Sequence, residues 1–177
     1  MKKTPIKALD IFQLLKGQWS INRKFDDRTS SDLSGSASGR TTLKSNNETI
    51  LSYNEIVEAA FNNGVESTGT TSYKFKIEQN KLHQYLVSSN KESHMFELNF
   101  FATNGKKYAK ASYICEKDKY DVVYSFLDNS QFYVIYTVTG PKKNYTTLTS
   151  YERVELIGED NNTSLDIELD SSLEYTI

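Results

Sequence analysis

The feature that most constrains the fold is a two-residue alternation of large apolar and polar side chains. In the first such segment, Trp19, Ile21 and Phe25 share one face of an extended strand, with Arg23 as the single charged member. Ten segments show this period, and turn sequences such as Asn104-Gly105 separate them. They begin near Trp19, Gly35, Leu51, Thr71, Leu82, His94, Ala109, Tyr120, Phe132 and Tyr145. This order predicts an antiparallel meander.

A long sheet with one apolar face favours closure, because an open sheet leaves its edge strands unpaired. We therefore predict an all-β fold: a ten-stranded antiparallel up-and-down barrel with space inside for a small ligand. Before the first strand, Ile6, Leu9, Phe12 and Leu15 follow at three-residue steps, which indicates a short helix ending at Gly17. We expect this N-terminal helix to close one end of the barrel.

The length of the chain is typical of one domain, but its charge is unevenly distributed. We predict a single barrel domain over residues 1–158. Residues 159–177 contain acidic and no basic side chains, and we predict an acidic, flexible tail there.

Composition excludes several classes of protein. A formal net charge of −2 gives no general attraction for nucleic acid, so no nucleic-acid partner is expected. No segment approaches the ~18–20 apolar residues of a membrane span. The single cysteine, Cys115, and the lack of a secretory signal near the N-terminus predict a cytoplasmic protein, as a monomer or homodimer.

The sequence predicts neither a metal site nor a cofactor. His83 and His94 are the only histidines, and they lie on different predicted strands at opposite parity, away from Cys115. Glycine-rich phosphate-binding motifs are absent from the sequence. Cys115 shares its predicted inward face with Tyr113, which favours buried, inert packing for the thiol.

Two charged residues occupy positions that point into the predicted barrel. Arg23 follows Trp19 and Ile21 on their face, and Glu55 shares its face with Tyr53. An isolated buried charge costs several kcal/mol, so each needs a partner, and Arg23 with Glu55 is one possible pair. The predicted ligand-binding residues are Arg23, Tyr53, Glu55, Tyr73, His94, Tyr113, Tyr124 and Tyr136. Alternatively, these groups satisfy one another as a buried network without a ligand.

The tryptophan and a late arginine carry a resemblance to a known superfamily. Gly17-x-Trp19 at the first strand, with Arg153 on the last, resembles the calycins, which include lipocalins, fatty-acid-binding proteins and nitrobindin-like barrels. The resemblance implies that Arg153 packs across Trp19 at the barrel base, as a cation–π contact that closes the barrel. Haem-binding barrels of this group need a late histidine, and none follows His94, so haem is not expected.

Further motifs resemble an uncharacterised family of small bacterial and fungal proteins, over about residues 9–154. The matching patterns are GxWxxxR (Gly17, Trp19, Arg23), YxE (Tyr53, Glu55), CxxDxY (Cys115, Asp118, Tyr120), GPxKxY (Gly140, Pro141, Lys143, Tyr145) and YxR (Tyr151, Arg153). The family usually has histidine at the position of Tyr113 and phenylalanine at that of Ser93, so no mechanism with a histidine pair is implied. The resemblance implies a fold and no activity.

The function predicted first is binding of a small, partly apolar ligand inside the barrel. The alternative is an enzyme in which Glu55 or His94 is the general acid or base and Arg23 holds an anion. Its substrate would be a small phenolic, lipid-like or carboxylate molecule. A third hypothesis is an interaction protein or a secreted bacterial effector with a filled core, because Glu168, Glu174 and Ile177 resemble C-terminal signals of type IV secretion.

Overall fold

A computed structural model of the chain describes residues 3–154, which form one antiparallel sheet and a short helix. The elements are β1 (Thr4–Pro5), α1 (Ala8–Leu15), β2 (Gly17–Asp27), β3 (Gly35–Ser45), β4 (Ile50–Phe61), β5 (Glu66–Glu78), β6 (Lys81–Ser88), β7 (Lys91–Leu98), β8 (Phe101–Thr103), β9 (Lys106–Cys115), β10 (Asp118–Phe126), β11 (Gln131–Thr139) and β12 (Asn144–Arg153). A 3-10 turn at Ser31–Leu33 connects β2 to β3.

The strands follow the order β1-β8-β9-β10-β11-β12-β2-β3-β4-β5-β6-β7. The ladder between β12 and β2 joins the last described strand to the first long one, with Arg153 opposite Trp19. The sheet curls until β7 contacts β9, although no ladder within residues 3–154 joins these two strands. The predicted all-β, barrel-like fold is therefore confirmed.

The predicted number of strands is wrong, because the described residues contain twelve strands instead of ten. The two additional strands are β1, with two residues, and β8, with three, and they pair with each other. Segments this short cannot show a two-residue period, which is why the sequence did not reveal them. The predicted acidic tail at 159–177 lies outside the described residues, and the single-domain organisation stays a prediction.

The N-terminal helix is shorter than predicted and buries a different stripe. Its buried residues are Ala8, Ile11, Phe12 and Leu15, whereas Leu9 is 48% exposed. A spacing of three and four residues keeps side chains on one helical face, but repeated three-residue steps drift away from it. No helix within residues 3–154 is long and apolar enough to cross a membrane.

Trp19 lies at the closed end of the barrel and is fully buried. Its indole Nε1 donates to the Leu15 carbonyl at 2.9 Å, and its ring meets Phe132 edge-on with centroids 4.8 Å apart. The Arg153 guanidinium lies 4.1 Å from the centre of the Trp19 ring and donates to the Leu14 and Lys16 carbonyls, each at 2.7 Å. These contacts attach the helix to β2 and β12 and close this end.

A bulge in β7 changes which side chains face inward. Gln84 pairs with Phe96 and Tyr85 pairs with His94, so Met95 is an extra residue with no counterpart on β6. One extra residue reverses the alternation of a strand. Phe96 is therefore buried inside the barrel, whereas His94 is exposed on the outer face. The prediction that His94 shares the inward face of Phe96 is wrong.

Candidate ligand-binding site

A charged pair lies in the interior of the barrel. Arg23 on β2 donates from Nη1 and Nη2 to the two carboxylate oxygens of Glu55 on β4, at 2.8 and 2.7 Å. Its Nε donates to Thr149 Oγ1 on β12 at 2.9 Å. The Glu55 side chain is 1% exposed and that of Arg23 is 21% exposed. The carboxylate is therefore enclosed, while the Arg23 side chain keeps partial contact with solvent.

The charge of Arg23 is held by its partner. Burial lowers the pKa of Arg23, but the hydrogen bonds to Glu55 and the charge of that carboxylate raise it, and the net pKa lies above its ordinary value. The guanidinium therefore remains positive. Together with the Glu55 carboxylate it forms a pair whose charges balance.

Two tyrosines extend this network toward the closed end. Tyr53 donates its hydroxyl proton to Glu55 Oε2, so the contact of 3.1 Å between the Tyr53 and Tyr151 oxygens has Tyr151 as the donor. Burial raises the pKa of Tyr53 well above its usual value and raises that of Tyr151 to about 12. Both phenols therefore stay protonated at neutral pH.

A second polar cluster surrounds Gln84 on β6, which has no exposed surface. Tyr124 donates to Gln84 Oε1 and Gln84 Nε2 donates to the Tyr136 oxygen, both at 2.8 Å. Burial raises the pKa of Tyr136 to about 12 and that of Tyr124 well above its usual value. The amide of Gln84 is thus satisfied by one donor and one acceptor.

A cavity of about 30 Å³ lies between the two polar clusters. Its polar lining consists of Arg23, Tyr53, Tyr73, Tyr124, Tyr136 and Tyr151. A space of this size holds about one water molecule, far below the ~300–1,000 Å³ of a typical small-molecule pocket. The closed half of the barrel is therefore largely filled by side chains around this small cavity.

The opposite half of the barrel is open, as exposure along the strands shows. On β2, Trp19 and Ile21 are buried and Phe25 is half-buried; on β12, Tyr151 is buried and Tyr145 is half-buried. On β2 and on β9 to β12, the half-buried inward positions of this open half are Phe25, Ala111, Tyr113, Tyr120, Tyr136, Tyr145 and Thr147, and most of them are aromatic. On β3 to β5 the inward positions include small residues such as Gly39, Ala59 and Gly69. The opening above Arg23 is therefore a shallow cup with one aromatic side, and we call it the aromatic cup.

Tyr73 on β5 stands between the cavity and the aromatic cup. Its ring packs against Tyr53 with centroids 5.3 Å apart, and it lines the cavity beside Arg23 and Tyr136. Burial raises the pKa of Tyr73 well above its usual value, and the charge of Arg23 lowers it by a smaller amount. The Tyr73 hydroxyl is therefore a protonated donor.

Two of the predicted site residues are not part of the hydrogen-bonded interior network, although Tyr113 is one of the rings of the aromatic cup. His94 lies on the outer face, with its Nε2 3.1 Å from Nδ1 of His83 and its ring against Tyr85. Tyr113 is half-buried and contacts Phe96 and Tyr120 at the rim. The structure brings together the other predicted residues, namely Arg23, Tyr53, Glu55, Tyr73, Tyr124 and Tyr136.

The expectation that Cys115 is buried is wrong, because its side chain is exposed at the end of β9. Cys115 and Asp118 face each other where β9 turns into β10, and a hairpin end leaves little to cover a side chain. In residues 3–154, no group of three His, Cys, Asp or Glu side chains is placed to hold a metal ion.

The outer face has a larger depression of about 850 Å³, which is open to solvent. Its lining consists mainly of outward side chains such as Lys24, Ser38, Glu58 and Tyr133, and it also includes Arg23 and the inward Ala37 and Ala59. It does not enclose a convergent set of buried polar groups, which is the property that marks ligand sites. We therefore place the candidate site in the barrel interior.

Three members of the interior network were not predicted from the sequence. Gln84 occupies an inward position between Leu82 and Leu86. A single amide side chain among apolar inward positions could have indicated a buried polar group. Thr149 and Tyr151 lie on the inward face of β12, and their alternation with exposed residues was equally visible. Their bonding partners are distant in sequence and could not be read from it.

Fold and site together define a barrel-like all-β protein whose interior carries an ion pair and a set of buried tyrosines. A family model described as a family of unknown function (DUF6314) matches residues 15–153. The chain belongs to this family. No curated protein matches the chain significantly.

Solved structures with the same fold include two natural proteins. The S-type phycobiliprotein lyase CPES from Guillardia theta is similar over 85% of this chain and 94% of its own, with a TM-score of 0.56 and 10% identity. Rv2717c from M. tuberculosis is similar over 84% of this chain and 98% of its own, with a TM-score of 0.57 and 10% identity. At this identity, the likeness concerns the fold alone.

Proposed function

We propose that the protein binds a small, partly apolar ligand in the aromatic cup, with the ligand's polar group directed at Arg23. The observation that carries this proposal is the partial exposure of the Arg23 side chain, 21%, while its counter-ion Glu55 is enclosed. A buried ion pair is costly to keep in a barrel core and adds little to stability. A pair that presents donors to an opening is therefore better explained by binding.

The walls of the aromatic cup suit a flat apolar molecule. Tyr145, Tyr120 and Tyr113 follow one another across β12, β10 and β9, with Val138 of β11 between the first two. Aromatic side chains contribute large contact areas and stack favourably on other rings. Such a surface favours an aromatic or extended apolar ligand over a small sugar.

Acid–base catalysis is supported less well by the same geometry. Both oxygens of Glu55 accept hydrogen bonds from Arg23, and one also accepts from Tyr53, so the carboxylate is fully engaged as an anchor. His94, the other proposed acid or base, is on the outer face. We therefore favour binding over turnover.

The similar structures are compatible with this proposal. One of them is named as an S-type phycobiliprotein lyase. The calycin resemblance, carried by Trp19 and Arg153, belongs to the proposal as well, because calycin-like barrels such as lipocalins hold one small ligand.

Binding can be tested with N-phenyl-1-naphthylamine, an uncharged aromatic amine whose emission rises in apolar surroundings. We expect saturable binding of one probe per chain. Thr147→Phe places a ring on the inward face between Phe25 and Tyr136 and should weaken binding about tenfold by steric exclusion. Thr146→Phe, on the outward face of the same strand, is the matched control and should bind as the wild type does.

Urea unfolding of both variants shows whether each is folded. Absence of probe binding by the wild type, or equal loss in the Thr147 and Thr146 variants, would contradict binding in the aromatic cup.

A further inference from the structure

Arg23 and Tyr73 leave hydrogen-bond donors without partners beside the cavity. A guanidinium has five N–H groups. Three of them donate to Glu55 and Thr149, and the other two make no hydrogen bond within residues 3–154. The Tyr73 hydroxyl also has no hydrogen bond to any described residue. Both residues line the same cavity.

The strong acceptors nearby are already occupied. The Glu55 carboxylate accepts from Arg23 and Tyr53 and is not part of the cavity lining. The amide oxygen of Gln84 accepts from Tyr124. The cavity therefore presents an excess of donors, and the group that complements it best is one that only accepts hydrogen bonds.

Two common groups only accept hydrogen bonds, namely a carboxylate and an uncharged carbonyl oxygen. The charge already present at the site decides between them. Glu55 already balances the charge of Arg23 at short distance. A carboxylate entering the cavity would add a negative charge without a counter-ion in a poorly solvated space, which is strongly unfavourable. A ketone, amide or quinone oxygen would accept the same hydrogen bonds without adding charge.

The size of the cavity agrees with a single terminal oxygen. About 30 Å³ holds one water-sized group, so only the tip of a ligand can enter. The remainder of the molecule would lie in the aromatic cup, against rings such as Tyr136 and Tyr145, which are half-buried.

We infer that the ligand is an aromatic or otherwise apolar molecule carrying an uncharged carbonyl oxygen, which Arg23 and Tyr73 bind together. This inference rests on the proposed function, because it names the class of ligand for the same site.

Three matched compounds separate the possibilities: 2-acetylnaphthalene has the carbonyl, 2-isopropenylnaphthalene replaces its oxygen by a methylene, and 2-naphthoate carries a charge. Their affinities are measured by displacement of N-phenyl-1-naphthylamine. We expect the ketone to bind at least ~10-fold more tightly than the alkene, because it accepts a hydrogen bond from a charged donor, and more tightly than the carboxylate.

Tyr73→Phe tests the second donor without leaving a partner unsatisfied. It should reduce the preference for ketone over alkene about 2- to 10-fold. Tyr133→Phe removes a phenol from the outer face and is the matched control, for which the preference should be unchanged.

Equal affinities for ketone and alkene would overturn the inference and mean that the cavity holds water only. Tightest binding of 2-naphthoate would overturn it in favour of an anion site. In both cases retained probe binding leaves the proposed function intact. If neither the probe nor any of the three compounds binds, the proposed function itself fails.

Discussion

Arg23 and Glu55 are held in the barrel by each other, by Thr149 on β12 and by Tyr53 on β4. The sequence indicated this pair, because both charges stand at inward positions and a lone buried charge is unfavourable. It did not indicate Thr149, which binds the Arg23 Nε from a strand 126 positions later in the chain. The sheet face on which a side chain lies can be predicted from its even or odd position along the strand. Its hydrogen-bond partner depends on the register between distant strands.

Removing one partner of the pair should be more harmful than removing both. Arg23→Met leaves the Glu55 carboxylate enclosed without its counter-ion and should lower the free energy of unfolding by about 3–5 kcal/mol. The double variant Arg23→Met, Glu55→Met should be less destabilised than this single variant, because no uncompensated charge remains. Urea unfolding measures both.

Arg40→Gln is the matched control, since Arg40 is exposed on the outer face of β3, and it should change stability by no more than about 0.5 kcal/mol. A double variant as unstable as Arg23→Met would show that the hydrogen bonds of the pair, and not its charge balance, stabilise the fold.

At the scale of elements, the small residues of β3 allow β4 to approach closely. A Cβ placed on Gly39 would lie 2.1 Å from the Ile56 carbonyl oxygen, and one on Gly35 would lie 2.1 Å from that of Ala60. Backbone atoms of β4 thus occupy the space that a side chain at these positions would need, and glycine in a strand interior often marks such a close approach of another backbone.

Gly39→Ala should therefore destabilise the protein by about 1–3 kcal/mol, because the new methyl group meets backbone atoms that cannot rotate away. Gly69→Ala is the matched control on β5, where the nearest atom, Val57 Cγ2, lies 3.6 Å from the added Cβ. We expect its effect to stay within about 0.5 kcal/mol in thermal or urea unfolding. If Gly39→Ala and Gly69→Ala lower the free energy of unfolding equally, these strands require the backbone freedom of glycine.

The bulge in β7 shows where reasoning from parity fails. A two-residue period places His94 with Phe96, and one extra residue at Met95 separates them onto opposite faces. Bulges depend on how two strands pair, and a single strand's sequence does not display them. A histidine assigned to the interior thus lies outside, beside His83.

At the scale of the molecule, the curled sheet concentrates phenols in its interior. Tyr53, Tyr73 and Tyr124 have pKa values well above their usual value because burial disfavours the phenolate, and the pKa values of Tyr136 and Tyr151 are raised to about 12 for the same reason. These residues come from five strands. Their shared environment exists only when the barrel has formed.

Alkaline pH should therefore destabilise the whole molecule. In the unfolded chain these phenols ionise near pH ~10, whereas in the folded chain they hold their protons longer. The folded state then binds more protons, so stability is fully present below about pH 10 and falls as pH rises from about 10 towards 12.

Near-ultraviolet titration of the 12 tyrosines should show a distinct late transition, in which the buried phenols ionise only as the chain unfolds. The same titration in concentrated urea is the control and should show a single transition. A single transition near pH 10 in the native protein would contradict the buried phenol cluster.

The alternation of side chains by itself determined the fold class, the ten long strands and the inward position of Arg23 and Glu55, because strand geometry imposes a two-residue period on any half-buried sheet. The match of β12 with β2, with Arg153 over Trp19, agrees with the expected closure. Only the tertiary structure decided the remainder: the short strands β1 and β8, the outward position of His94, the exposure of Cys115, and the meeting of Gln84 with Tyr124 and Tyr136. Each of these depends on strand pairing between distant segments, and pairing is a property of the folded sheet that no local pattern contains.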